Sequence, residues 1–352
     1  MRRGPRLLIS LSAMVVLLLQ PWSYVEGAVL REDIGELKIH DLLLRPTFLL
    51  REPGDGSFGI GESSFALRWE LEKSFAGVIR IGPESLLNPL ARYEAAVNDD
   101  VMLVEAFAEL NSVYGRFRMG RLPVEFGYEG SLWERYLVFP RSLLFRSRTM
   151  MLRDVGGSYE IEHNSWYTTI VVHNGESRDD VDGRAWYTAR WGYRREKFEV
   201  GLAGQTGSTK TEATLNSGDT LAGVDPTHEA KWRIGGLYTA VHNKGFDWTL
   251  EFYMGEREQD QDVGKFLAGH TDVGVDLTDL VSTHVRLDVF DPNSRVHGDL
   301  VRHLSAAVVL SNLTKSSNLI LVGTKIFEEE HQFGNDELRL IWSLSPSGIV
   351  RF

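Results

Sequence analysis

Along most of this chain, apolar and polar residues alternate one for one over short runs. Phe65, Leu67, Trp69 and Leu71 alternate with Ala66, Arg68, Glu70 and Glu72. Trp166, Thr168, Ile170 and Val172 alternate with Tyr167, Thr169, Val171 and His173. Phe246, Trp248, Leu250, Phe252 and Met254 alternate with Asp247, Thr249, Glu251, Tyr253 and Gly255. A period of two predicts strands with one apolar face. Read this way, the chain predicts strands near 40–50, 62–72, 75–82, 101–110, 113–122, 153–162, 166–173 and 185–193. Further strands are predicted near 198–205, 230–241, 246–255, 267–277, 281–290, 302–311, 317–327 and 336–345. Their lengths suit tilted membrane strands of ~9–11 residues.

The joins between them alternate short and long. Lys73-Ser74, Asn111-Ser112, His163-Asn164-Ser165, 194–197, 242–245, 278–280 and 312–316 read as tight turns. Between them lie 51–61, 83–100, 123–152, 174–184, 206–229, 256–266 and 291–301, and a last loop spans 328–335. Short periplasmic turns alternating with long outer loops are the layout of an outer-membrane barrel, whereas a soluble β-sandwich has no reason to keep that order. The expected fold is therefore all-β, a transmembrane antiparallel β-barrel of about 16 strands. Composition adds that glycine is abundant at 34 residues and that aromatics form 11% of the chain. Trp69, Trp166, Trp186, Trp191, Trp232, Trp248 and Trp342 all fall in predicted strands, as the outward aromatic girdles of such barrels require.

The N-terminus carries Arg2, Arg3 and Arg6, then the apolar run Leu7–Leu19, then Pro21 and the small-residue exit at Gly27-Ala28. That is the form of a secretory signal cleaved near residue 27, leaving 28–352 as one barrel unit. The alternative of an N-terminal anchor meets a run well short of the ~20 residues of a spanning helix. Removing three arginines and Glu26 takes the formal charge from −11 to −13, a poor balance for nucleic-acid binding. There is no cysteine, so neither a disulfide framework nor a thiolate metal site is expected. Acids gather in the long connections at 176–182, 256–262 and 328–330, which read as solvated loops.

The longest connection behaves differently. Predicted strands 101–110 and 113–122 form a hairpin, and 123–152 follows it. Met102, Val104, Ala106, Ala108 and Leu110 are expected on one face of the hairpin, and Arg116 and Arg118 lie opposite Phe117 and Met119. Between 114 and 153 stand Arg116, Arg118, Arg121, Arg135, Arg141, Arg146, Arg148 and Arg153, offset by Glu125, Glu129 and Glu134 alone. Arginine rings at a constriction favour anions. The candidate pore-lining and selectivity set is therefore Arg116, Arg118, Arg121, Arg135, Arg141, Arg146 and Arg148. The alternative is that these arginines pair with nearby acids or with headgroup phosphates.

Gly115-Arg116-Phe117-Arg118-Met119-Gly120-Arg121 followed by Phe126-Gly127 resembles the hairpin of the phosphate-selective porin O and P family. Arg153-Asp154-Val155-Gly156, the Asn174-Gly175 strand end and the Arg286–Asn293 segment resemble further patterns of that family. The likeness is densest over about 100–200. It implies a trimeric, 16-stranded channel with loops folded inward. The family's phosphate-selecting lysines have no counterpart here, since 114–153 holds no lysine. The chain end, an alternating strand closing on Trp342 and Phe352, resembles the signal read by the barrel assembly machinery. Pro346 and Gly348 leave open whether Phe352 joins the last strand.

Other chemistry is thin. Gly54–Gly59 (GDGSFG) matches a dinucleotide pattern on paper but is followed by an alternating stretch rather than a helix, so it reads as a hairpin loop. His173 with Ser177 suggests a hydrolase only if the side chains converge. No catalytic residue, cofactor or metal ligand is assigned. The expected function is an outer-membrane porin, a passive diffusion channel for small hydrophilic solutes with an anion preference. Expected partners are outer-membrane lipid, the assembly machinery, small solutes or anions, and two further copies in a homotrimer. The alternatives are a non-conducting barrel that presents loops, as an adhesin or structural protein does, and an outer-membrane hydrolase.

Overall fold

The computed structural model describes residues 36–51, 55–72, 74–87, 101–146, 150–175, 183–209, 229–259, 262–314, 316–328 and 336–345. The expected signal segment, Arg148, Ser177 and Phe352 lie outside the described residues.

Among the described residues, eighteen antiparallel strands form one sheet. The first six are β1 (Glu36–Leu43), β2 (Thr47–Arg51), β3 (Asp55–Gly59), β4 (Ser64–Glu72), β5 (Phe75–Pro83) and β6 (Val101–Ser112). Next come β7 (Gly115–Pro123), β8 (Arg153–His163), β9 (Trp166–His173), β10 (Trp186–Arg195), β11 (Phe198–Thr209) and β12 (Ala230–Asn243). The last six are β13 (Phe246–Gln259), β14 (Asp262–Asp276), β15 (Val281–Asp291), β16 (Val301–Thr314), β17 (Ser317–Glu328) and β18 (Glu337–Leu344). From β4 to β18 each strand pairs with its neighbour in sequence. At the other end β18 pairs with β2, β2 with β3, and β1 with β4.

The count of 18 corrects the expected 16 or so, and both extra strands have local causes. The single strand expected over 40–50 is split into β1 and β2 around Pro46, which has no N–H to give the ladder. The stretch 51–61, expected as a loop, contains β3. Its Phe58 packs on Phe48 across the pair, with ring centroids 4.4 Å apart. Within the glycine-rich run, Asp55–Gly59 is thus strand rather than hairpin loop.

The hairpin turn also moves, from the expected Asn111-Ser112 to Val113-Tyr114. Ser112 sets it locally: its hydroxyl donates to the Gly115 carbonyl at 3.0 Å and accepts from the Tyr114 amide at 3.2 Å. Higher up β6 the register slips, with Arg80 opposite Glu105 but Ile81 opposite Leu103. Val104 is the extra residue and is fully buried. The face expected to carry Met102, Val104 and Ala106 together is therefore broken at this bulge.

The two faces of the sheet have opposite chemistry. On β9 and β10, Ile170, Val172, Tyr187 and Trp191 are exposed, while Thr169, His173, Thr188 and Arg190 are buried. On β18, Leu338, Leu340 and Trp342 are exposed, while Glu337, Arg339 and Ser343 are buried. Apolar side chains outside and charged ones inside invert the arrangement of a water-soluble sheet.

Candidate functional site: the inward-folded segment 123–152

The buried side of the sheet is occupied by the segment that leaves β7 at Pro123 and rejoins the wall at β8. Gly127 turns it inward with φ +67°, and a Cβ there would lie 2.0 Å from the Tyr253 hydroxyl. Only glycine combines that backbone with that approach. Beyond it come two 3-10 turns, Glu129–Ser131 and Glu134–Tyr136, and one helical turn, Leu143–Arg146. Phe126, Phe145 and Met150 are each 1% exposed or less. Phe126 packs on Tyr253 of β13 with ring centroids 4.8 Å apart.

The segment is tied to itself before it is tied to the wall. The Ser142 amide donates to Glu129 Oε2 at 2.9 Å. Arg141 donates to the Glu129 carbonyl, to the Leu132 carbonyl at 2.8 Å, and to Glu134 at 3.2 Å. Its two arms therefore form one small folded plug.

One side of the plug meets an arginine-rich junction. Arg153 donates to Glu105 of β6 at 2.7 Å, to Glu134 of the plug at 2.9 Å and to the Leu86 carbonyl at 2.6 Å. Arg80 of β5 donates to Glu105 at 3.1 Å and to Asp41 of β1 at 2.6 Å. Its guanidinium also lies 4.3 Å from the centroid of a Trp133 ring. Asp41 accepts from Arg135 as well. Arg45 reaches from the wall to Glu62 at 2.8 Å and to the plug carbonyls of Glu134 and Leu137. Burial pushes the Glu134 carboxyl up, but Arg153, Arg141 and Arg80 more than offset it and hold it well below the usual range.

The opposite side is built from wall carboxylates. Glu251 of β13 accepts from the Glu129 amide at 2.5 Å, and Asp288 of β15 accepts from the Leu143 amide at 2.7 Å. Arg286 of β15 donates to Glu129 Oε1 at 2.9 Å and to the Pro140 carbonyl at 2.7 Å. Burial raises the Glu129 pKa, yet Arg286, His270 and Arg141 bring it down to about 2. Between these sides, Tyr128 meets His242 of β12, and Glu125 bridges Arg118 of β7 and Arg190 of β10, each at 3.2 Å. Burial disfavours the Glu125 charge, and the same arginines hold its carboxyl below the usual range. Phe139 packs against Ala307, Val309, Ile320, Val322 and Ile341 of β16–β18. The plug thus touches the wall on strands from all round the sheet.

Of the seven arginines singled out in the sequence, the six that are described divide as follows. Arg116 pairs with Glu160 of β8, and Arg118 pairs with Glu109 and Glu125; both face the buried side. Arg121 falls on the other face with Phe117 and Met119, where it donates to the Leu103 carbonyl at 2.9 Å. The odd spacing from Arg118 puts it there, so it is not brought into the set. Arg135 and Arg141 are plug residues bound to carboxylates, and Arg146 is buried at the end of the helical turn. The partners Asp41, Arg45, Arg80, Glu105, Arg190, Glu251, Arg286 and Asp288 were missed. A charge on the polar side of an alternating strand was the signal, visible in Arg286-Leu287-Asp288.

One other constellation is compact. His173 Nδ1 lies 2.7 Å from Asp154, and its Nε2 lies 3.0 Å from the Thr188 hydroxyl. Acid, imidazole and hydroxyl line up, but Asp154, His173 and Thr188 are all sealed from solvent, and Gln205 occupies the hydroxyl at 2.9 Å. A nucleophile without access to substrate does no chemistry. Among the described residues no group of three or more His, Cys, Asp and Glu is placed to hold a metal.

No family model matches the chain, and no curated protein matches it. Solved outer-membrane proteins do. OmpT of Vibrio cholerae, in its trimer form, aligns with TM-score 0.65 at 11% identity, over 89% of this chain and 100% of that one. An anion-selective porin from Comamonas acidovorans aligns with TM-score 0.62 at 11% identity, over 88% and 98%. The outer-membrane channel DcaP of Acinetobacter baumannii gives 0.62 at 8% identity, over 88% and 97%. At such identities the likeness establishes a porin-like barrel fold. It does not single out the phosphate-selective family.

Proposed function

We propose that this chain is a bacterial outer-membrane protein of the porin type, passing small hydrophilic solutes by passive diffusion through a lumen narrowed by the 123–152 plug. The observation that carries this is the inverted sheet, apolar outside and charged inside, with a segment folded across the charged side. Lipid accepts the first face, and a water-filled lumen accepts the second. β18 also pairs with β2, and β1 with β4. A homotrimer is the assembly proposed, as in the trimer form of the Vibrio protein.

A mild anion preference is part of this reading, with its source narrowed. Arg116, Arg118, Arg135 and Arg141 each face a carboxylate, so any preference reflects a small surplus of charge. A second reading has its own support: the plug contacts the wall on β1, β5, β10, β12, β13 and β15, as it would in an occluded barrel that only presents loops. Single-channel recording in a planar bilayer, with reversal potential under a KCl gradient, separates these. Stable open steps with chloride-favouring reversal support the anion-preferring channel. Potassium-favouring steps keep the channel and remove the preference. Folded protein without conductance leaves the occluded barrel.

A further inference from the structure

On its outward face, the hairpin β6–β7 carries a charge. Arg121 shares that face with the exposed Phe117 and Met119, and its rung neighbours are Ala106 of β6 and Val155 of β8. Arg116 and Arg118, on the inward face, pair with carboxylates. Arg121 instead donates to the Leu103 carbonyl at 2.9 Å, where the bulge at Val104 interrupts the ladder. No carboxylate among the described residues pairs with it. We propose that this guanidinium and the short groove beside it form a binding site for an anionic lipid, with the phosphate on Arg121 and an acyl chain along β6.

The inference rests on the membrane-barrel reading but not on conduction. With the tight turn at Val113-Tyr114 as the periplasmic end, the β7–β8 pairing stops at Pro123 opposite Arg153, two residues beyond Arg121. The β5–β6 pairing stops nearby, at Pro83 opposite Val101. The bond to Leu103 draws the guanidinium toward that outer end, as a long basic side chain does when it reaches for headgroup level. An arginine on the lipid face is costly at the midplane and nearly free at the interface. One neutral carbonyl leaves its charge unbalanced, whereas a phosphate answers both the charge and the forked N–H donors.

The groove runs from Arg121 toward the periplasm. The rungs Ile79–Ala106–Arg121 and Gly77–Ala108–Met119 set three small residues between two ridges. Ile79 stands on one side and Met119 on the other, both exposed. A Cβ built at Gly77 would meet nothing within 4 Å, so the groove is open. Its lower end is closed by the next rung, where Phe117 and Tyr159 pack with ring centroids 4.6 Å apart. An apolar groove that leads from a cation suits a chain attached to a phosphate, while a free phosphate would use the cation alone.

The test is to titrate the protein, folded in detergent, with phosphatidylglycerol and to weigh the complexes by native mass spectrometry. Wild type should retain one lipid more tightly than any other. Arg121→Leu should weaken that retention about fivefold, the effect of one basic residue beside an anionic headgroup, and Arg121→Lys should restore most of it. Ala108→Trp, which fills the groove and leaves the arginine in place, should weaken it as well. Undiminished retention in folded Arg121→Leu or folded Ala108→Trp overturns the site. Displacement of the lipid by equimolar inorganic phosphate overturns the lipid as occupant. An altered oligomer mass in Arg121→Leu with lipid retention unchanged overturns it too, and assigns the face to a second copy. Failure of the barrel reading itself would look different, because wild-type protein would then not insert into phosphatidylglycerol vesicles at all.

Discussion

The two sides of the plug are held by opposite chemistry. On the β1–β6 side, arginines from wall and plug share carboxylates, so that Glu105 serves Arg80 and Arg153 and Asp41 serves Arg80 and Arg135. On the β13–β15 side, wall carboxylates take single backbone amides, and one side chain, Glu129, links Arg286 to Ser142. The first arrangement is redundant, since removing one bond leaves the rest. The second rests on single bonds, with Glu251 and Asp288 each taking one amide and only Arg286 making two contacts, to Glu129 and to the Pro140 carbonyl. A plug held in this way should come loose from the carboxylate side while remaining anchored at the arginine side.

The largest effect should follow from breaking the redundant side at its hub. Arg153→Met takes one cation from both Glu105 and Glu134, leaving them Arg80 and Arg141, and breaking a buried pair costs about 3–5 kcal/mol. Denaturant unfolding in lipid would measure it, and a cost of only tenths of a kcal/mol would erase the contrast between the two sides. Next comes Glu129→Gln, which keeps the side chain's shape but gives up the charge beside Arg286. Charge-assisted bonds contribute about 1.5–3 kcal/mol, so stability should fall less than for Arg153→Met while unit conductance rises. Unchanged conductance would mean the carboxylate side is not the weak one.

Acid should act on the same latch. The Glu129 pKa is lowered from 4.5 to about 2 in the folded protein. A depressed folded value means its stabilisation is complete above the unfolded pKa and is lost as pH falls through the folded one. Conductance should therefore be flat from pH 7 to pH 5 and rise only as the pH approaches 2; a rise already at pH 6 would assign the latch to another group. The smallest effects concern selectivity. Arg116→Ala with Arg118→Ala should move the reversal potential modestly toward cations, because each removed charge unmasks a carboxylate. Arg121→Leu should leave it unmoved, since that side chain is on the apolar face.

Much of the wall was legible in the chain. Each expected strand range overlaps an observed strand, because period-two alternation reports which residues face which side. The alternation of short and long joins pointed to the same architecture. What failed, failed where local geometry depends on something other than alternation. Pro46 splits a span, Val104 slips a register, and Ser112 moves a turn; each is one residue that a pattern averaged over ten does not weigh. The arginines of 114–153 were visible as a cluster, but read alone they looked uncompensated, with a local charge of +5.

The sequence by itself determined the strands, their outward apolar faces, and a cation-rich segment between β7 and β8, because these follow from neighbours along the chain. Only the tertiary structure decided what that segment does. Glu105, Asp41, Glu251 and Asp288 come from four different strands. Asp41, Glu251 and Asp288 meet 123–152, and Glu105 meets Arg153 at its end, solely because the sheet curves round to present its buried face to it. Charge balance in a lumen is a property of that curvature, since ions a hundred residues apart in sequence neutralise one another only when folding brings them within a few ångströms.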